Sequence, residues 1–125
     1  MNRLLCLALG VVVATTAVPA LAAPPAQAQR EIDRLITALG QSGCQFQRNG
    51  SWYDASAAQA HLRKKYDWLV RRDMVASAEQ FIERAGSQSS ISGQPYQVRC
   101  EGRPAVTSAS WLNARLAEIR RAPTP

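Results

Sequence analysis

Apolar residues recur at helical spacing in four stretches of the chain. In the first, they fall at i, i+3, i+4 and i+7, which forms one face of an amphipathic helix: Ile32, Leu35, Ile36 and Leu39. A second helix is predicted over about 56–71, with Asp54 or Ser56 as its cap. A capping-box pattern starts a third helix at Ser77, and a last helix is predicted with Ser108 as its cap.

Shorter segments between these helices are typical of strands. Asn49-Gly50 lies between β-prone residues in the segment 44–53, and this dipeptide favours the tight turn of a β-hairpin. Residues 96–100 alternate and predict a further strand. The element order predicts an α+β fold: a single small domain with about four helices packed on a short two- to three-stranded antiparallel sheet.

The first 22 residues have the pattern of a secretory signal peptide. Arg3 precedes an apolar run at 4–13, and Ala20-Leu21-Ala22 matches the small-residue pattern of a cleavage site. Cleavage is expected after Ala22, which predicts export to the periplasm. A retained membrane anchor is the alternative, but the apolar run is shorter than the roughly 20 residues that a spanning helix needs.

The rest of the chain divides into three parts by composition. Residues 23–30 are predicted to be a disordered leader, 31–121 the α+β domain, and 122–125 a loose tail. No transmembrane segment is expected after cleavage.

The composition limits the possible functions. The chain has 125 residues, with 15 Lys and Arg against 9 Asp and Glu, which gives a formal net charge of +6. This length fits one compact domain and excludes a large multidomain enzyme.

Of the three cysteines, Cys44 and Cys100 remain after cleavage. In an oxidising compartment they form one possible pair, and a structural disulfide is predicted. Two free thiols and a metal site are the alternatives. His61 is the single histidine and no C-x-x-C motif occurs, so neither a metal nor a redox-active pair is expected.

A basic stretch in the second helix is the main candidate for binding. Arg63, Lys64 and Lys65 are followed by Arg71 and Arg72, with aromatic residues between them. Nucleic acid is not an expected partner for an exported protein, so the stretch favours an acidic envelope protein or an anionic envelope surface. A solvated helix face is the plain alternative.

His61 and the loop serines are candidates for catalysis. His61 is a possible general base, with Ser89, Ser90 or Ser92 as the nucleophile. The Gly-x-Ser-x-Gly motif of serine hydrolases is absent, and serines in such loops usually form turns.

Two loops are predicted to meet, because the disulfide would bring their strands together. The hairpin turn carries Arg48 and Asn49, and the loop 89–96 carries Ser90 and Tyr96. Arginine and aromatic residues are common in recognition sites. A plain hairpin with core aromatics is the alternative.

Four ordered blocks of sequence carry a family resemblance. These blocks, at 46–50, 61–65, 77–83 and 89–96, resemble the YfeK-like family of small secreted bacterial proteins of unknown function. The resemblance implies a Gram-negative envelope setting and no particular activity.

These patterns together predict a periplasmic, non-enzymatic binding module without a cofactor. The candidate binding residues are Arg48, Asn49, His61, Arg63, Lys64, Lys65, Ser90 and Tyr96. The alternative is a small hydrolase or transferase that uses His61 and a loop serine.

Overall fold

The computed structural model describes residues 7–16 and 23–122. The predicted cleavage site after Ala22 and residues 123–125 of the predicted tail lie outside this range. Among the described residues, no helix has both the length and the apolar content needed to cross a membrane.

Helices and a small sheet alternate along the chain. The helices are α1 (Ala26–Gln41), α2 (Ala55–Arg71), α3 (Ala78–Phe81), which continues as a turn of π-helix (Ile82–Gly86), and α4 (Ser108–Arg121). The strands are β1 (Gln45–Arg48), β2 (Ser51–Tyr53), β3 (Gln97–Arg99) and β4 (Val106–Thr107). They form an antiparallel sheet in the order β2-β1-β3-β4, so the predicted α+β class is confirmed, with four strands instead of two or three.

The predicted leader is wrong for residues 26–30, because α1 begins at Ala26. Ala28 is buried one turn before Ile32 and extends the apolar face toward the N-terminus. The Gln29 side chain donates a hydrogen bond to the Pro24 carbonyl at 2.6 Å, which fixes the start of the helix. Part of this segment is therefore buried through Ala28, although its composition resembles that of a linker.

The predicted hairpin is confirmed. Asn49 and Gly50 have φ values of 49° and 81°, which is the left-handed region that a tight two-residue hairpin turn requires at both positions. Phe46 pairs with Tyr53 on one side and with Val98 on the other. This register points Phe46 and Val98 into the helical core, where both are buried.

Two of the predicted helix caps are confirmed, and the third lies one residue away. Asp54 accepts the Ala57 N–H at 2.8 Å, and Ser77 accepts the Gln80 N–H at 3.1 Å. For α4 the cap is Thr107, and Ser108 is the first helical residue. The Ser108 N–H donates instead to the Tyr96 carbonyl at 2.8 Å, which joins α4 to the residue before β3.

The structure contains the predicted disulfide between Cys44 and Cys100, whose Cα atoms are 4.4 Å apart. It connects the residue before β1 to the residue after β3, at the edge of the core. The two central strands are thus held together covalently as well as by their hydrogen bonds.

An ion-pair cluster joins three helices. Glu31 is buried on α1. Arg120 on α4 donates to both Glu31 carboxylate oxygens, at 2.8 and 3.2 Å, and also pairs with Glu79 on α3. A bidentate pair of this kind provides the hydrogen bonds that a buried carboxylate needs.

Candidate functional site

A cavity of about 320 Å³ lies between α1, the β1–β2 hairpin and α2. Its floor consists of buried apolar side chains, which are Leu39, Phe46 and Leu62. Its polar wall consists of Arg48, Tyr53, His61, Lys64 and Tyr96. The size is at the lower end of the range for small-molecule sites.

A chain of hydrogen bonds runs along the polar wall. Arg48 Nη1 lies 2.7 Å from His61 Nδ1, and His61 Nε2 lies 3.1 Å from the Tyr96 hydroxyl oxygen. A guanidinium only donates, so Nδ1 must accept and the imidazole proton resides on Nε2. That Nε2–H donates to Tyr96, and so does Lys65 Nζ, at 3.1 Å.

The Tyr96 hydroxyl therefore receives two hydrogen bonds, which occupy both of its lone pairs. In the described part of the chain, no hydrogen bond takes up the hydrogen of this hydroxyl. Tyr96 thus has a donor available at the cavity wall.

The electrostatics of the site follow from burial next to several positive charges. Burial, and then the charges of Arg48, Lys65 and Lys64, lower the pKa of His61 from 6.5 to about 4. Burial also lowers the pKa of the Lys65 ammonium, and Arg48 lowers it further. The imidazole is consequently neutral at pH 7, which agrees with its role as an acceptor from Arg48.

Aromatic rings hold the cations in place. The Arg48 guanidinium lies 5.0 Å from the centre of the Tyr53 ring, and Lys65 Nζ lies 5.0 Å from the centre of the Tyr96 ring. Cation–π contacts at this distance stabilise a positive charge without neutralising it. The positive charges remain available to a ligand.

The residues that line the cavity include no carboxylate. Among residues 7–16 and 23–122, no cluster of three or more His, Cys, Asp or Glu side chains has the arrangement of a metal site. The charge that the wall presents is therefore positive, and its charged groups, Arg48 and Lys64, donate hydrogen bonds.

The structure brings some of the predicted site residues together and separates others. Arg48, His61, Lys64 and Tyr96 line the cavity, and Lys65 contacts Tyr96 beside it. Arg63 points to α1, where it pairs with Asp33 at 2.7 Å. The basic stretch is not one surface, because consecutive helical residues point about 100° apart.

The loop residues have mainly structural contacts. The Ser92 hydroxyl donates to the Asn49 side chain, which ties the loop 87–96 to the hairpin turn. Lys65 Nζ also donates to the Gln88 carbonyl in this loop, at 3.1 Å. Ser90 is exposed and does not line the cavity.

The loop serines do not contact His61 in the described structure. The Ser89 hydroxyl is buried and accepts the N–H groups of Ile91 and Ser92, at 3.2 and 3.3 Å. The His61 nitrogens contact Arg48 and Tyr96. A serine–histidine pair for nucleophilic catalysis would need a different arrangement of this loop.

Sequence reasoning did not find the floor of the cavity. Leu39 and Leu62 follow ordinary helical spacing, which predicts core positions and gives no sign of a cavity above them. Tyr53 lies in the predicted hairpin segment, but its position beneath Arg48 depends on the register between β1 and β2.

Comparison with known proteins agrees with the resemblance found in the sequence blocks. A Salmonella typhimurium protein described as "Uncharacterized protein YfeK" is 35% identical over 97 residues, which cover 77% of each chain. No solved structure matches the chain. Residues 26–120, which begin with α1, match a family described as "Family of unknown function (DUF5329)", and the chain belongs to this family.

Proposed function

We propose that this protein is a non-enzymatic binding module that recognises an oxyanion, either a carboxylate or a phosphate group, in the cavity beside His61. The observation that carries the proposal is an excess of hydrogen-bond donors. Arg48, Lys64 and the Tyr96 hydroxyl face a cavity whose lining has no carboxylate to accept from them.

The charged groups around His61 support an anion rather than a cation as the ligand. Burial is the largest cause of the lowered pKa of His61, and the positive charges of Arg48, Lys65 and Lys64 lower it further. Positive groups that are partly removed from water are stabilised when a negative group pairs with them. An oxyanion can accept from Arg48 and Tyr96 together, which an apolar ligand cannot do.

The site differs from the basic helix surface that the sequence suggested. Arg63 belongs to an ion pair with Asp33, and Arg72 stacks on Trp68 at 3.9 Å. The binding residues of this proposal are therefore Arg48, His61, Lys64 and Tyr96, with Lys65 as a positioning residue. Acidic proteins and anionic envelope lipids both present the required groups, so the chemistry agrees with an envelope partner.

The test compares two arginine variants that lose the same charge. Arg48→Gln is expected to weaken binding of acetate or inorganic phosphate at least tenfold, because it removes the fixed donors of the cavity. Arg63→Gln is the matched control and is expected to change binding by less than a factor of two. Binding is measured by amide chemical-shift titration of the purified protein with each anion.

Acetate and inorganic phosphate are titrated separately, so the experiment shows whether the cavity prefers a carboxylate or a phosphate group. Equal weakening in both variants would show a general effect of net charge and would overturn the proposal. The absence of saturable shifts at the cavity with either anion would also overturn it.

We further propose that the protein acts in the periplasm after cleavage of residues 1–22. The N-terminal pattern of Arg3, an apolar run and Ala20-Leu21-Ala22 supports export, and disulfides persist in oxidising compartments. When the full chain is expressed in a Gram-negative host, intact-mass spectrometry of the periplasmic fraction is expected to show a protein that begins at Ala23. A full-length protein in the cytoplasm would contradict this expectation.

A further inference from the structure

We propose that the ligand of this cavity is an amphipathic anion, in which a carboxylate or phosphate head is attached to a short apolar tail. This inference rests on the proposed function and names the class of molecule that the site would take. It is carried by the apolar half of the cavity, which anion binding alone does not require.

The floor of the cavity is apolar, and the apolar surface still open to water lies on α2. Leu39 from α1, Phe46 from β1 and Leu62 from α2 line the floor, but each is at most 6% exposed and adds little area for a ligand to cover. Ala57 and Ala60 line the cavity and are exposed, and Ala58 is half-buried. A hydrated inorganic ion gains nothing from these methyl groups, whereas a tail that covers them removes apolar area from water.

The walls of the cavity change from apolar to charged along α2. Ala57 and Ala58 line one end of the cavity. His61 lies about one helical turn beyond them, and Lys64 lies about two turns beyond Ala57. Seven residues of α-helix span about 10 Å, so the two ends are separated by the length of a short chain. The head would lie near Lys64 and Arg48, and the tail near the two alanines.

The volume limits the length of the tail. A cavity of about 320 Å³ has room equal to about ten water molecules, at roughly 30 Å³ for each. A tail of a few carbon atoms fits, and a long acyl chain would have to leave the cavity. Affinity should therefore rise with tail length and then stop rising.

The test uses a homologous series of straight-chain carboxylates from acetate to octanoate, measured by isothermal titration calorimetry on the purified protein. Affinity is expected to increase about fourfold for each added methylene until the cavity is full. Octanol has the same tail without the anion, and it is expected to bind at least tenfold more weakly than octanoate.

A matched pair of variants locates the tail. Ala57→Leu places a larger side chain in the apolar end from an exposed helical position, and it is expected to abolish the gain from tail length while acetate still binds. Ser56→Leu is the control, because Ser56 is exposed on the same turn and does not line the cavity. This control variant should retain the full increase of affinity with tail length.

The outcomes separate this inference from the proposed function. If acetate and octanoate bind equally well at the cavity, the amphipathic ligand is wrong and the oxyanion site remains. If octanol binds as tightly as octanoate, or if no anion binds, both are wrong. If Ala57→Leu leaves the dependence on tail length unchanged, the tail does not lie where this inference places it.

Discussion

Removal of the Cys44–Cys100 disulfide is expected to lower the free energy of unfolding by about 4 kcal/mol. The two cysteines are 56 residues apart in sequence, so the bond closes a long loop and restricts the unfolded chain strongly. A loss of this size is a large share of the stability of a small domain. Urea denaturation of the protein with and without reductant measures it.

The control for this experiment is the double variant Cys44→Ala with Cys100→Ala. It is expected to unfold at the same low urea concentration with or without reductant, because it has no disulfide to reduce. Its stability should match that of the reduced protein to within the cost of the two lost sulfur atoms. A loss below about 1 kcal/mol on reduction would show that the disulfide contributes little.

Acidification is expected to destabilise the protein through His61. The pKa of His61 is about 4 in the folded chain and 6.5 in its ordinary state. Between these two values the unfolded chain binds a proton that the folded chain does not, so protonation favours unfolding. The contribution of His61 to stability is fully present above pH 6.5, falls as the pH drops from 6.5 to 4, and is then lost.

The expected loss is about 1–2 kcal/mol, because the imidazole is only partly buried and solvent screens its charge interactions. His61→Asn keeps an acceptor near Arg48 but does not titrate in this range, so it is the matched control. Arg120 holds the pKa of the Glu79 carboxyl below its usual range. Protonation of Glu79 at acidic pH therefore lowers the unfolding free energy of both proteins by the same amount. The difference in unfolding free energy between the two proteins isolates His61.

Nuclear magnetic resonance of the His61 ring checks the cause directly. Its carbon-bound protons are expected to titrate with a midpoint near pH 4 in the free protein. An oxyanion bound at the cavity should raise that midpoint, since it lowers the cost of a charged imidazole. A midpoint near 6.5 in the free protein would contradict the charge arrangement on which the proposed site depends.

Local signals predicted much of the fold. The Asn49-Gly50 turn and the caps at Asp54 and Ser77 are short-range features, because each depends on a few neighbouring residues and their backbone angles. The same holds for the amphipathic face of α1. Such features are visible in the sequence before any tertiary contact is known.

Long-range pairing determined what the sequence did not show. β4 is only Val106–Thr107, which is too short to produce an alternating pattern. Lys65 and Tyr96 are 31 residues apart, and their contact exists only because the sheet places the start of β3 beside α2. Charge patterning identified the basic residues, but their directions in space depended on the packing of α2 against α1 and the loop.

The Arg120 cluster has a consequence for the order in which the chain can fold. Glu31 lies near the start of the described domain and its partner lies 89 residues later, almost at its end. A chain that leaves a ribosome or a translocation channel N-terminus first cannot bury Glu31 with its counter-charge until α4 has emerged. The unpaired carboxylate opposes early collapse of α1, so the complete domain is expected to form late, when nearly the whole sequence is available.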